Sequence, residues 1–109
     1  MDSILPGGIA VNVPRLYGDY GSVREVTVRL FKDTDICYYL LTGDRREPPC
    51  RRVYSLLCTK TVNGILTESE YVYDLAASYD EALRIYTLLY RNTVTPCCML
   101  EVLEEILGQ

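Results

Sequence analysis

The amino-acid sequence predicts an α+β domain, a four-stranded antiparallel meander followed by two C-terminal helices packed on one face. Residues 23–74 are filled by alternating or β-branched and aromatic runs, an Asn-Gly pair divides the last two runs, and from residue 78 onward apolar residues recur at helical spacing. A chain of 109 residues is long enough to bury one core and too short for two. The expectation is therefore a single domain over 1–109, with an N-terminal arm or edge strand (1–22), the sheet (23–74) and a two-helix segment (78–107).

The first stretch is rich in Gly and Pro, and Ile9, Val11 and Val13 alternate ahead of Pro14 as in a short edge strand. From Val23 the pattern has period two, with Val26, Val28 and Leu30 on one face and Thr27, Arg29 and Phe31 on the other. Lys32-Asp33-Thr34-Asp35 supplies turn residues, and Ile36 to Thr42 is continuous enough in apolar character for a more fully buried strand. Gly43-Asp44 ends that strand, and Arg45, Arg46, Glu47, Pro48 and Pro49 form a loop, because proline cannot continue a ladder. Val53 to Val62 and Ile65 to Tyr73 then flank Asn63-Gly64, the pair that suits the two positive-φ positions of a type I′ hairpin turn.

Ser78-Tyr79-Asp80-Glu81 matches a capping box and starts the first helix, which runs to about Arg91 with Asn92 suited to a left-handed closing position. Ala82, Ile85, Tyr86 and Leu89 centre its apolar face. Thr95 caps the second helix, and Pro96 fits its first position because no N–H is needed there. Met99, Val102, Leu103, Ile106 and Leu107 form the buried face, and Glu101, Glu104 and Glu105 the opposite one.

The absence of histidine removes the commonest general base near neutral pH, and only Lys32 and Lys60 remain as substitutes, so triad-type hydrolysis is not expected. Five cysteines at positions 37, 50, 58, 97 and 98 have neither disulfide-framework nor zinc-site spacing. No cofactor and no metal are expected. The start of the chain is acidic and interrupted by Pro6, Gly7 and Gly8, and no apolar run approaches the ~20 residues of a membrane span, which points to a cytoplasmic protein with reduced thiols.

Charge is uneven. Residues 24–60 carry eight basic and five acidic residues, whereas residues 61–109 carry two basic and eight acidic ones. The overall charge of −4 opposes a phosphate backbone, so nucleic acid is not the expected partner. A protein partner, or a homo-oligomer joined through opposite patches, fits better. Arg45, Arg46, Arg51 and Arg52 form the basic patch, and Glu101, Glu104 and Glu105 are the acidic surface they would meet. Ten tyrosines, against one phenylalanine and no tryptophan, add weak support for an interaction surface.

Cys97 and Cys98 lie in the first turn of the second helix, where the dipole favours a thiolate while Glu101 and Glu104 oppose it. They are the candidate reactive thiols. The bland alternative makes Cys98 a small core residue and Cys97 a surface thiol.

Val72-Tyr73-Asp74-Leu75, the helix ending at Asn92, and the run from Pro96 to Leu107 resemble a small bacterial family of unknown function, over Val53 to Leu107. The resemblance implies a strand pair, a helix and a Pro-initiated acidic helix in a bacterial cytoplasm, and it brings no activity. Cys98 stands where that family is expected to hold a histidine. The function that follows is a non-enzymatic protein-interaction module, with self-association among its modes. The alternative is a thiol-based redox sensor or enzyme using Cys97 or Cys98.

Overall fold

The computed structural model describes residues 3–4, 10–11, 20–44 and 51–108, with side chains from residue 23 onward. Ile9, Val13, Arg45, Arg46, the Pro48-Pro49 loop and Cys50 lie outside the described residues. The order is β1 (Ser3–Ile4), β2 (Ala10–Val11), β3 (Tyr20–Phe31), β4 (Thr34–Asp44), β5 (Arg52–Val62), β6 (Ile65–Val72), α1 (Tyr79–Arg91) and α2 (Pro96–Leu107).

β3, β4, β5 and β6 form the expected antiparallel meander in sequence order. The sheet starts at Tyr20, three residues ahead of the expected Val23, and β1 pairs with β2 as a separate two-stranded ribbon, not as an edge of the main sheet. Asn63 and Gly64 both have positive φ, at 53° and 77°, as a type I′ turn requires. The turn sets Val62 opposite Ile65 and, past a bulge at Lys60/Thr61, Leu56 opposite Val72. The Asn63 N–H donates to the Asp33 carbonyl at 2.8 Å, tying the two hairpin turns together.

Pleating divides the sheet residues between two faces. Ile36, Tyr38 and Leu40 of β4 with Tyr54, Leu56 and Cys58 of β5 share a core with Ala82, Ile85, Tyr86 and Leu89 of α1 and Met99 and Leu103 of α2. Cys37, Tyr39, Leu41 and Leu57 form a second cluster, with Val23 and Tyr71 packed against it. The central strands are thus buried on both faces, which explains why β4 reads as a continuous apolar run. α1 lies over β4 and β5, and α2 over β5 and β6.

The helix ends depart from expectation in two places. Asn92 has φ −97° and is the C-cap, while the left-handed residue is the next one, Thr93, at φ 50°. Thr93 N–H donates to Tyr90 O and Val94 N–H to Leu89 O, the paired bonds of a Schellman closure, and the Asn92 side chain is instead spent on Leu88 O at 2.7 Å. Val94 is consequently buried against the core. Thr95 occupies the N-cap of α2 with extended backbone, but its hydroxyl makes no capping bond. Ser78 caps α1 as expected, accepting from the Glu81 N–H at 3.2 Å.

Candidate interaction site

Two buried donors hold the short loop between the helices, and a third ties α1 to β4. The Tyr38 hydroxyl donates to Val94 O at 2.7 Å, the Cys58 thiol approaches the same oxygen at 3.7 Å, and the Tyr86 hydroxyl donates to Tyr38 O at 3.0 Å. Burial pushes the Tyr38 and Tyr86 phenols well above their ordinary range and the Cys58 thiol up to about 12, with Cys37 adding to the Cys58 shift. These groups are neutral hydrogen-bond donors holding the fold.

At the far end of α2 the chain leaves β6 through Tyr73, Asp74 and Leu75. Asp74 has φ 54°, a conformation that Asp and Asn tolerate better than most residues. It is held there because its N–H donates to the buried Ser55 hydroxyl at 3.2 Å and the next N–H, of Leu75, donates to Tyr54 O at 2.8 Å. Arg51 grips the Asp74 carboxylate with both terminal nitrogens, one at 3.0 Å from Oδ1, and the pairing raises the affinity of that guanidinium for its proton.

Between this bend and α2 runs a groove of about 420 Å³ lined by Val72, Leu75, Leu100, Leu103, Leu107 and Glu104, with Tyr73 and Asp74 completing its wall. Leu100 and Leu107 each keep 49% of their surface exposed, whereas Leu103 between them is buried. The three leucines sit at i, i+3 and i+7, one stripe of the helix. α2 buries Pro96, Met99 and Leu103 and packs the partly buried Val102 and Ile106 against the core, while the stripe of Leu100 and Leu107 stays open. Leu107, expected in the core, is therefore one wall of a surface groove. Cys98, which the bland reading placed in the core, is exposed for the same reason.

Glu104 and Asp74 are the charged residues that line the groove. α2 contains Glu101, Glu104 and Glu105, all exposed, and no basic residue, so the negative end of its dipole has no side-chain cation in the last turn. Arg51 offsets Asp74 alone. Of the four arginines of the expected basic patch, Arg51 and Arg52 are among the described residues. Arg51 is bound to Asp74, Arg52 lies 3.7 Å from Asp44, and both are exposed but have carboxylates of the same chain as neighbours. Cys97 and Cys98 lie at the opposite end of α2. Among the described residues no group of three or more His, Cys, Asp or Glu is placed to hold a metal ion, and no helix is long and apolar enough to cross a membrane.

Sequence reasoning found Glu104 and Arg51 but missed the leucines between them. The available signal was Leu100, an apolar residue outside the sheet-facing stripe of a helix otherwise lined there by glutamates.

A family model described as a family of unknown function (DUF6514) matches residues 22–109. The match takes in all of the four-stranded sheet from Ser22 as well as both helices, extending the similarity beyond the strand pair and helices that suggested it. No curated protein and no solved structure matches the chain.

Proposed function

We propose that this chain, which belongs to the family of unknown function DUF6514, is a non-enzymatic protein-interaction module whose α2–β6 groove takes an amphipathic, basic segment of a partner protein in a bacterial cytoplasm. The observation that carries the reading is the coincidence of half-exposed Leu100 and Leu107 with a helix that has three glutamates and no cation. Apolar anchors spaced two helical turns apart supply pockets for leucine-type side chains, and the surrounding negative charge selects lysine or arginine at the flanks and rejects acidic sequences. A second α2 is disfavoured as occupant because it would bring glutamates against glutamates.

The test uses two fluorescent helical peptides with leucines at i, i+4 and i+7, one flanked by lysines and one by glutamates, titrated with the protein at low and high salt. The lysine peptide binds at low salt and weakens as salt rises, the glutamate peptide binds at least about tenfold more weakly, and Leu100→Asp with Leu107→Asp removes binding, each lost anchor accounting for more than about 1 kcal/mol. Equal binding of both peptides, or binding untouched by the two leucine substitutions, overturns the proposal. So does an α2-mediated dimer that shields the groove in sedimentation and amide-exchange measurements.

A further inference from the structure

Cys97 and Cys98 follow Pro96 at the second and third positions of α2, and both are exposed. Their sulfur atoms are 3.8 Å apart. The Thr95 hydroxyl, which makes no cap bond, lies 3.3 Å from the Cys97 sulfur instead. Cys37 and Cys58 are buried in the two separate core clusters, so among the described residues the adjacent pair presents the accessible sulfur.

Such a pair is poorly arranged to bond to itself. Consecutive Cα atoms are about 3.8 Å apart across a trans peptide, short of the roughly 4.4–6.8 Å that disulfides span, and closing the ring would pull the first turn out of helical geometry. It is equally unsuited to a structural zinc ion, which takes four ligands where this site offers two sulfurs. What two neighbouring soft donors select is a thiophilic centre that needs two sulfur bonds. We propose that Cys97 and Cys98 form a bidentate dithiol site for a trivalent arsenical.

With an organoarsenic(III) oxide as ligand, the arsenic–oxygen double bond breaks and two arsenic–sulfur bonds form. The two thiol protons leave with the oxygen as one water molecule. Arsenic stays trivalent and neither sulfur is oxidised, so no further reactant is required. Once the first sulfur has bonded, the second reacts from within the same turn, at an effective concentration far above that of a free thiol in solution. Retention against monothiols is therefore the signature of the site.

The probe is phenylarsine oxide, read by intact-protein mass spectrometry. The parent retains one phenylarsenic group per chain through washing with excess 2-mercaptoethanol and releases it to 2,3-dimercaptopropanol. Cys97→Ser and Cys98→Ser each lose that retention by at least tenfold, while Cys50→Ser keeps it, and circular dichroism of the Cys97→Ser and Cys98→Ser variants matches the parent because both positions are exposed. An adduct that monothiol removes from the parent, or one that survives in the Cys97→Ser, Cys98→Ser double variant or is lost in Cys50→Ser, overturns the proposal.

Discussion

Replacing Tyr38 with Phe removes one oxygen atom from the middle of the larger core. That oxygen is the stronger of two donors on the buried Val94 carbonyl, at 2.7 Å, the other being the Cys58 thiol at 3.7 Å. A buried hydrogen bond contributes about 1 kcal/mol net and an acceptor left without a partner costs about 1–3 kcal/mol. Because the thiol remains, Tyr38→Phe is expected to cost about 1–2 kcal/mol, which at this chain length lowers Tm by roughly 4–9 °C. Tyr86→Phe is the internal comparison. Its hydroxyl donates at 3.0 Å to Tyr38 O, a carbonyl of a strand paired on both sides, which keeps a ladder partner, so the loss is nearer the ~1 kcal/mol of a simple deletion. Tyr38→Phe combined with Cys58→Ala strips both donors from one carbonyl and should cost more than the two single losses added together. Thermal and urea denaturation of the four variants measure all of these. The reasoning is refuted if Tyr38→Phe lies within about 0.5 kcal/mol of the parent, as a neutral surface change would, or if Tyr86→Phe is the more damaging of the two tyrosine substitutions.

Alkaline conditions probe the same region. The fold raises the Cys58 thiol from its ordinary 9.0 to about 12 by burial, so it favours the protonated form. That contribution is complete below pH 9 and is lost as pH climbs toward 12, on the order of 4 kcal/mol if the thiol ionises fully. Urea midpoints should fall across this window, and Cys58→Ala should flatten the fall; an identical pH profile in the variant contradicts the assignment. At the β5–β6 turn, a Cβ added to Gly64 meets nothing within 4 Å, yet its φ is +77°. Gly64→Ala should therefore cost roughly 1–2 kcal/mol from backbone conformation alone, and Gly64→Asn less. A chemical-denaturation series in which Ala and Asn behave alike would show that the turn relaxes into another type.

Local rules were sufficient wherever one short segment determines its own state. Asn63-Gly64 imposes its turn because two adjacent positive-φ residues leave the backbone few other options, and Ser78 with Glu81 starts α1 because the cap satisfies an N–H three residues away. The unbroken apolar run of β4 announced burial on both faces, and that is how the strand lies. At the end of α1 the same rules were off by one residue. Asn92 and Thr93 compete for the left-handed position, and the outcome depends on burying Val94 under Tyr38 and Cys58, contacts that lie 56 and 36 residues away in the chain.

The groove belongs wholly to the tertiary level. Periodicity shows that α2 has an apolar arc, but how much of it the sheet covers depends on the line along which the helix crosses β5 and β6. The Val94 carbonyl, held by Tyr38 and Cys58 just ahead of α2, anchors one end of that line. Leu103 falls under it, while Leu100 and Leu107 fall beside it. For the same reason Arg51, which composition assigned to a free basic patch, is engaged by Asp74. An ion pair between residues 23 apart forms only once the sheet and the bend have brought the two side chains together.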